Sequence, residues 1–258
     1  TYSGITTNLD TSQTSWRSIM IGSMGLGGAN REGNCNETLS PDADATNNAD
    51  CIKTPVAGSG YSSYFALDVT APLAPVHMWE FSDGALPVAD RGLGLTTPGP
   101  AAVRINSLSG TPLRADKTTN GRWFSVFASG PTGKIDAATK QFLGRSDQNL
   151  KLYVVDIGSD ADNSTPDWEF VRCTTAGEIN CNYWVIDTGI KYAFANALIN
   201  SSLDADKRDA YSDGYYSDDV VYITYTKAAL DSSPSPGPYP TAWDKGGVIR
   251  LLTNNDPD

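Results

Sequence analysis

Histidine is nearly absent: the 258-residue chain has one, His77. A Ser-His-Asp or Cys-His mechanism needs an imidazole base beside its nucleophile, so nucleophilic chemistry of that kind has almost nothing to work with. The four cysteines have no C-x-x-C spacing, and with so little histidine a structural zinc site is not expected either. Basic residues are scarce, 19 Lys and Arg against 30 Asp and Glu. The resulting net charge of −11 repels a phosphate backbone instead of releasing its counterions, so nucleic acid is not an expected partner. No apolar run approaches the roughly 20 residues a membrane-crossing helix needs, and no basic stretch precedes an apolar one at the N-terminus as in a signal peptide. The chain begins with Thr1 and not Met, which reads as a processed or excised part of something longer.

What is present favours strands and turns. Glycine (24), proline (15), tyrosine (12) and tryptophan (6) are plentiful, and aromatics suit pleated, half-buried surfaces while glycine and proline punctuate them. The cysteines form two sequence-close pairs in polar, turn-rich segments, Cys35 with Cys51 and Cys173 with Cys181. Two local disulfides in an oxidising compartment is the preferred reading, with free thiols as the alternative. His77 lies in the alternating run APVHMWEF, where a strand histidine is expected.

The sequence also repeats itself. YFALDVTAPLAPVHMWEF at 64–81 parallels LYVVDIGSDADNSTPDWEF at 152–170: an aromatic, small or branched apolar residues, Asp, a turn-rich gap, then Trp-Glu-Phe. Upstream of each copy a strand-like run starts from Trp, WRSIMIGSMG from Trp16 and WFSVFASG from Trp123. A third unit begins with DDVVYITYT at 218–226 and continues into GGVIRLLTN at 246–254, and AAVRINS at 101–107 is matched by ANALINS at 195–201. Short strands recurring as a four-stranded unit, with glycine and aromatics at fixed places, are the signature of propeller blades. The expected fold is therefore all-β, a single β-propeller domain, or the C-terminal portion of one, over residues 1–258. It holds about three blades, and because propellers close with about four to eight, further segments are expected to complete the ring. A β-sandwich is the alternative. Long inserts at 27–60, 108–120 and 227–243, the last containing SSPSPGP, cannot pair in central strands and belong at the rim, where recognition loops usually lie.

Asp68, Glu80, Asp156 and Glu169 recur at equivalent places in the two copies. That placement argues for structure over a glycosidase carboxylate pair. The glycines of MGLGGA lack dinucleotide-binding spacing and read as a tight turn. The densest feature is SLDADKRDAYSDGYYSDDVVYITYT at 202–226, which sets Asp204, Asp206, Asp209, Asp213, Asp218 and Asp219 against a β-prone run. Carboxylates this close repel unless a cation neutralises them. The alternative is a solvated loop salt-bridged to its own Lys207 and Arg208. SDADNSTPD at 159–167 is a weaker acidic turn of the same sort.

WRSIMIGSMGLGGA, SSYFALDVT with its WEF, WFSVFASGPTG, SDQNLKLYVVDI, YYSDDVVYITYT and GGVIRLLTN, taken together and in this order, resemble the C-terminal β-propeller of the PilY family of type IV pilus assembly and tip-associated adhesins. The resemblance runs from about Trp16 to Asn254. It implies a non-enzymatic, extracellular protein at the pilus tip or outer cell surface. Such a protein promotes pilus extension, surface attachment and twitching motility, contacts minor pilins, the remaining segments of the full-length protein, and a host or abiotic surface, and carries no transmembrane segment. It also implies a calcium loop of the D-x-D-x-[DN]-x-x-x-D kind feeding into a strand. Asp204 and Asp206 match its opening and Asp219 its close, whereas Lys207 and Arg208 fall where another ligand belongs. Side chains without acceptor atoms cannot ligate, so Asp209, Asp213 or Asp218 would have to substitute. Two readings of other classes stand beside this one. They are a quinoprotein-dehydrogenase-like propeller, which would hold a quinone, and a sugar-binding surface module.

Overall fold

The computed structural model describes residues 17–26, 30–31, 53–54, 60–105, 122–133, 144–157, 168–174, 181–198, 202–203, 218, 220–229 and 242–253. In chain order its strands are β1 (Ile19–Ser23), β2 (Asn30–Arg31), β3 (Lys53–Thr54), β4 (Ser63–Asp68), β5 (Val76–Ser82), β6 (Ala101–Ile105), β7 (Arg122–Ala128), β8 (Asn149–Asp156), β9 (Tyr183–Lys191), β10 (Ala193–Ala195), β11 (Ser202–Leu203), β12 (Val220–Lys227) and β13 (Gly247–Leu252). The fold is all-β, and every pairing between these strands is antiparallel.

Three sheets follow one another along the chain, each with neighbouring strands in near-sequential order. The first is β1-β4-β5, the second β6-β7-β8-β9, and in the third β12 is flanked by β10 and β11 on one side and β13 on the other. The short β2-β3 pair lies within the 27–60 insert. The repeats map onto this order. The Trp16 and Trp123 runs become β1 and β7 and the YFALD and LYVVD runs become β4 and β8, whereas AAVRINS forms β6 but its counterpart ANALINS meets β10 only at Ala195 and leaves the strand there. Among the described residues no sheet closes on itself.

Side-chain alternation makes the middle sheet a shared layer. Along β7 and β8 one face carries Phe127, Tyr153 and Val155, which pack with Tyr64, Ala66, Trp79 and Phe81 of the first sheet. The opposite face carries Phe124, Val126, Leu150 and Leu152, which pack with Ala193, Ala195, Val221 and Ile223 of the third. Period-2 side chains on a strand covered on both sides account for the nearly unbroken apolar run LKLYVV. At roughly 2 kcal/mol for each large side chain removed from water, these two layers are the main stabilising term.

The two Trp-Glu-Phe copies do not occupy equivalent places. Trp79 and Phe81 belong to β5, whereas Trp168 and Phe170 lie outside any strand, and β8 pairs instead with β9. Packing explains the divergence: the copies meet each other, with Phe81 and Phe170 edge-to-face at 4.8 Å and Trp79 and Trp168 at 6.4 Å between centroids. Edge-to-face aromatic contacts are favourable beyond area burial alone, so the second copy serves as a plug in the first interlayer core and not as a strand. Where the chain crosses from the first sheet to the second, Gly94 (φ 63°) and Gly130 pass backbone to backbone, and the Gly130 N–H donates to the Leu93 carbonyl at 2.9 Å. A Cβ on Gly130 would collide with the carbonyl oxygen of Leu95, so only glycine allows this approach.

Candidate functional site

The acidic segment is the connection of a hairpin. Leu203 on β11 is the register partner of Val220 on β12, and Ser202 is that of Val221. The chain therefore leaves and returns at adjacent positions, with 204–219 between them. A connection of this length is well above the usual hairpin loop of about 2 to 5 residues, and such loops tend to be functional. Asp204, Asp206, Asp209, Asp213 and Asp219 lie outside the described residues; Asp218 lies within them.

Asp218 is held at the point of return. Its backbone N–H donates to the Arg104 carbonyl at 2.7 Å, and the Arg104 N–H donates to its Oδ2 at 2.8 Å. The Thr253 hydroxyl donates to its backbone carbonyl. The incoming end of the acidic segment is thus fastened to the outer edge of β6 and to the chain just past β13, which joins the second and third sheets. One carboxylate oxygen is engaged by an N–H, while the carboxylate keeps further lone pairs for a cation. Among the described residues no group of three or more His, Cys, Asp or Glu side chains is arranged to hold a metal ion. The second acidic turn, 159–167, and Cys35 and Cys51 also lie outside the described residues.

The four repeat-position acids do not converge. Asp68 is buried against Arg17, Nη1 to Oδ2 at 2.7 Å, and accepts the Thr70 N–H at 2.9 Å. Burial alone would raise its pKa, but the Thr70 bonds and the Arg17 guanidinium outweigh it and hold the carboxyl below its ordinary value. Glu80 is exposed on β5, Asp156 is buried at the end of β8, and Glu169 presents its backbone carbonyl to Asn182 Nδ2 at 2.6 Å. His77 is an exposed β5 side chain.

The most organised polar centre is one that sequence reading missed. Asp90, 1% exposed, accepts from Arg172 Nη1 at 2.6 Å through Oδ1 and from the Tyr183 hydroxyl at 2.8 Å through Oδ2, while its carbonyl accepts from the Tyr153 hydroxyl at 3.1 Å. Nearby, Asp83 Oδ1 accepts the N–H groups of Gly92 and Leu93 at 2.9 and 3.0 Å, and Lys151 Nζ donates to the carbonyls of Ala89 and Arg91. These bonds tie the 83–93 segment that follows β5 to Tyr153 and Lys151 of β8 and Tyr183 of β9, a clamp between the first and second sheets. Burial is the main cause of raised pKa values at Tyr64, Tyr153 and Tyr183, and at Tyr183 the bond to Asp90 adds to it. ADRGLG has no spacing that would mark Asp90 in advance.

Cys173 and Cys181 form the expected disulfide, with Cα atoms 5.1 Å apart and both residues buried. It pins the segment bearing Trp168, Phe170 and Arg172 to the start of β9, reinforced by the Cys173 N–H donating to the Tyr183 carbonyl at 2.7 Å. Among the described residues no helix is long and apolar enough to cross a membrane. No family model, no curated protein and no solved structure matches the chain.

Proposed function

We propose that this chain is part of an extracellular β-propeller of the PilY kind, a non-enzymatic component of the type IV pilus tip whose acidic hairpin binds calcium. The observation that carries the reading is the succession of three antiparallel sheets stacked face to face with their chain neighbours, the first two built on the same repeated pair of strands, the Trp run (β1, β7) and the YFALD/LYVVD run (β4, β8), as consecutive blades are. The buried disulfide fits an oxidising, extracellular setting. Blades supply rigidity and rim loops supply recognition, which suits a tip protein that contacts minor pilins and surfaces.

Calcium takes six to eight oxygen ligands, and the hairpin closes a run holding Asp204, Asp206, Asp209, Asp213, Asp218 and Asp219 at Leu203 and Val220. The ion would neutralise the repulsion among these carboxylates. Titration calorimetry with calcium on the intact chain, and on an Asp204→Ala, Asp219→Ala double variant, tests the site. Micromolar binding lost in the variant is expected, and no binding by the unaltered chain refutes it. Binding to soluble minor-pilin domains, with calcium and with chelator, tests the pilus role. A chain that holds calcium yet binds no pilin leaves the ion site standing and removes the pilus assignment.

A further inference from the structure

The stack has two end faces, and their chemistry is complementary. On the first sheet the side opposite the interlayer core carries Met20, Phe65 and Glu80: Gly22 is the register partner of Phe65, Phe65 that of Glu80, and a Cβ on Gly22 would strike the Phe65 ring. On the third sheet the side opposite its core carries Tyr222, Val248, Arg250 and Leu252, with Tyr222 directly opposite Arg250. Both faces are exposed where a folded sheet usually buries apolar side chains: Met20 is 44%, Tyr222 43%, Val248 61% and Leu252 49% accessible. Large apolar groups gathered on a sheet face mark an interaction surface. Each face centres on an aromatic beside a charge, acidic on one and basic on the other. Among the described residues neither Glu80 nor Arg250 has an ion-pair partner.

We infer that the outer face of the first sheet docks on the outer face of the third sheet of a second copy of this chain, Glu80 opposite Arg250. The faces differ, so the contact is head-to-tail, and such contacts form rings when the rotation closes and filaments when it does not. Among the described residues one copy has three sheets of three or four strands, and two copies bring six, inside the range of about four to eight blades over which propellers close. Closure at two copies therefore rests on the propeller reading above, while the docking itself rests only on the two faces. The net charge of −11 opposes association at low ionic strength and is screened at physiological salt, so the contact strengthens as salt rises from low values.

Sedimentation velocity of the intact chain at physiological salt, over micromolar to submillimolar concentrations, is the test. A dimer is expected, with Glu80→Arg or Arg250→Glu each weakening it at least about tenfold through like-charge contacts. Mixing the two single variants must restore dimers, because each then offers the other two oppositely charged faces. That restoration also shows both variants to be folded. A monomer throughout, or a dimer indifferent to the reversals or not restored by mixing, overturns the inference and gives the faces to other blades or another partner. Charge-dependent assembly that grows past two copies keeps the docking and overturns closure at two copies, while a propeller completed by further segments of the same protein is left standing.

Discussion

Three tyrosine hydroxyls are locked in the protonated form by the fold, and this sets how the protein responds to alkali. Tyr64 donates to the carbonyls of Pro98 at 2.6 Å and Ala128 at 3.3 Å, Tyr153 to the Asp90 carbonyl and Tyr183 to the Asp90 carboxylate, and all three are 0% exposed. A phenolate in any of these places would lose water, face an acceptor it cannot donate to and, at Tyr183, meet a carboxylate. Burial accordingly raises each pKa well above its ordinary value. In the unfolded chain the same groups ionise near pH 10. Below that pH both states hold the three protons and the full stability is present. Above it the unfolded chain releases protons the native state keeps, so stability falls until the pH passes the native values. Each group contributes a slope of about 1.4 kcal/mol per pH unit, and three contribute about 4. A net stability of about 5 to 15 kcal/mol is consumed within roughly one to four units at that slope.

Urea unfolding at closely spaced values from about pH 9 to about pH 11 measures the slope. Tyr64→Phe should reduce it by about a third, even though it also lowers the absolute stability. Lysines and exposed tyrosines titrate in both states and largely cancel, so the variant isolates the buried group. In the folded protein, near-ultraviolet absorbance should show fewer than twelve tyrosines ionising before the unfolding transition. Flat stability across this range, or all twelve ionising in the native state, would refute the reasoning.

The remaining predictions concern the joints between sheets. Asp90→Ala should cost about 3 kcal/mol in chemical unfolding: hydrogen bonds to a buried charge contribute about 1.5 to 3 kcal/mol each, reduced here because the Arg172 side chain is 42% exposed and regains water. Asp90→Asn should cost less than the alanine variant, since it can still accept from Tyr183; equal costs would locate the effect in packing. Reducing the Cys173–Cys181 disulfide, which spans eight positions, should lower stability by about 2.5 kcal/mol. The reduced protein should become protease-sensitive near Trp168 and Phe170 first, and cleavage elsewhere at equal rates would count against a local role for the bridge.

How much of this was legible in the sequence depends on the range of the interaction. The all-β class and several of its strands were readable because they are written in local patterns: alternation, turn residues and the repeated YFALD and LYVVD runs, which became β4 and β8. The local Cys173–Cys181 pairing was readable for the same reason. The displaced second Trp-Glu-Phe was not, because what decides it is contact with the first copy some ninety positions away, and a repeat in sequence does not say whether its copies sit apart or meet. Asp90 was invisible too, as its partners Tyr153, Tyr183 and Arg172 come from separate elements. For the acidic run, the sequence supplied the carboxylates but not their closure, which comes from the Leu203–Val220 pairing.

That closure gives calcium a mechanical consequence on the proposed reading. Asp218 is at once part of the acidic segment and the residue that fastens it to Arg104 on β6 and to Thr253 beyond β13. Without a cation, repulsion from neighbouring carboxylates acts on the end of a strand that must keep two backbone-mediated bonds to another sheet. With one, the repulsion is removed, and both Asp218 bonds to β6 can be made without strain. On that reading, an ion held by the acidic segment would tighten the joint between the second and third sheets through one residue. Hydrogen exchange reads this directly: added calcium should slow exchange at the Arg104 and Asp218 amides, whose bonds depend on the junction, while the Cys173 amide at the far interface stays unchanged. Uniform slowing at all three would mean that the ion stabilises the whole fold, and the one-residue linkage would be wrong.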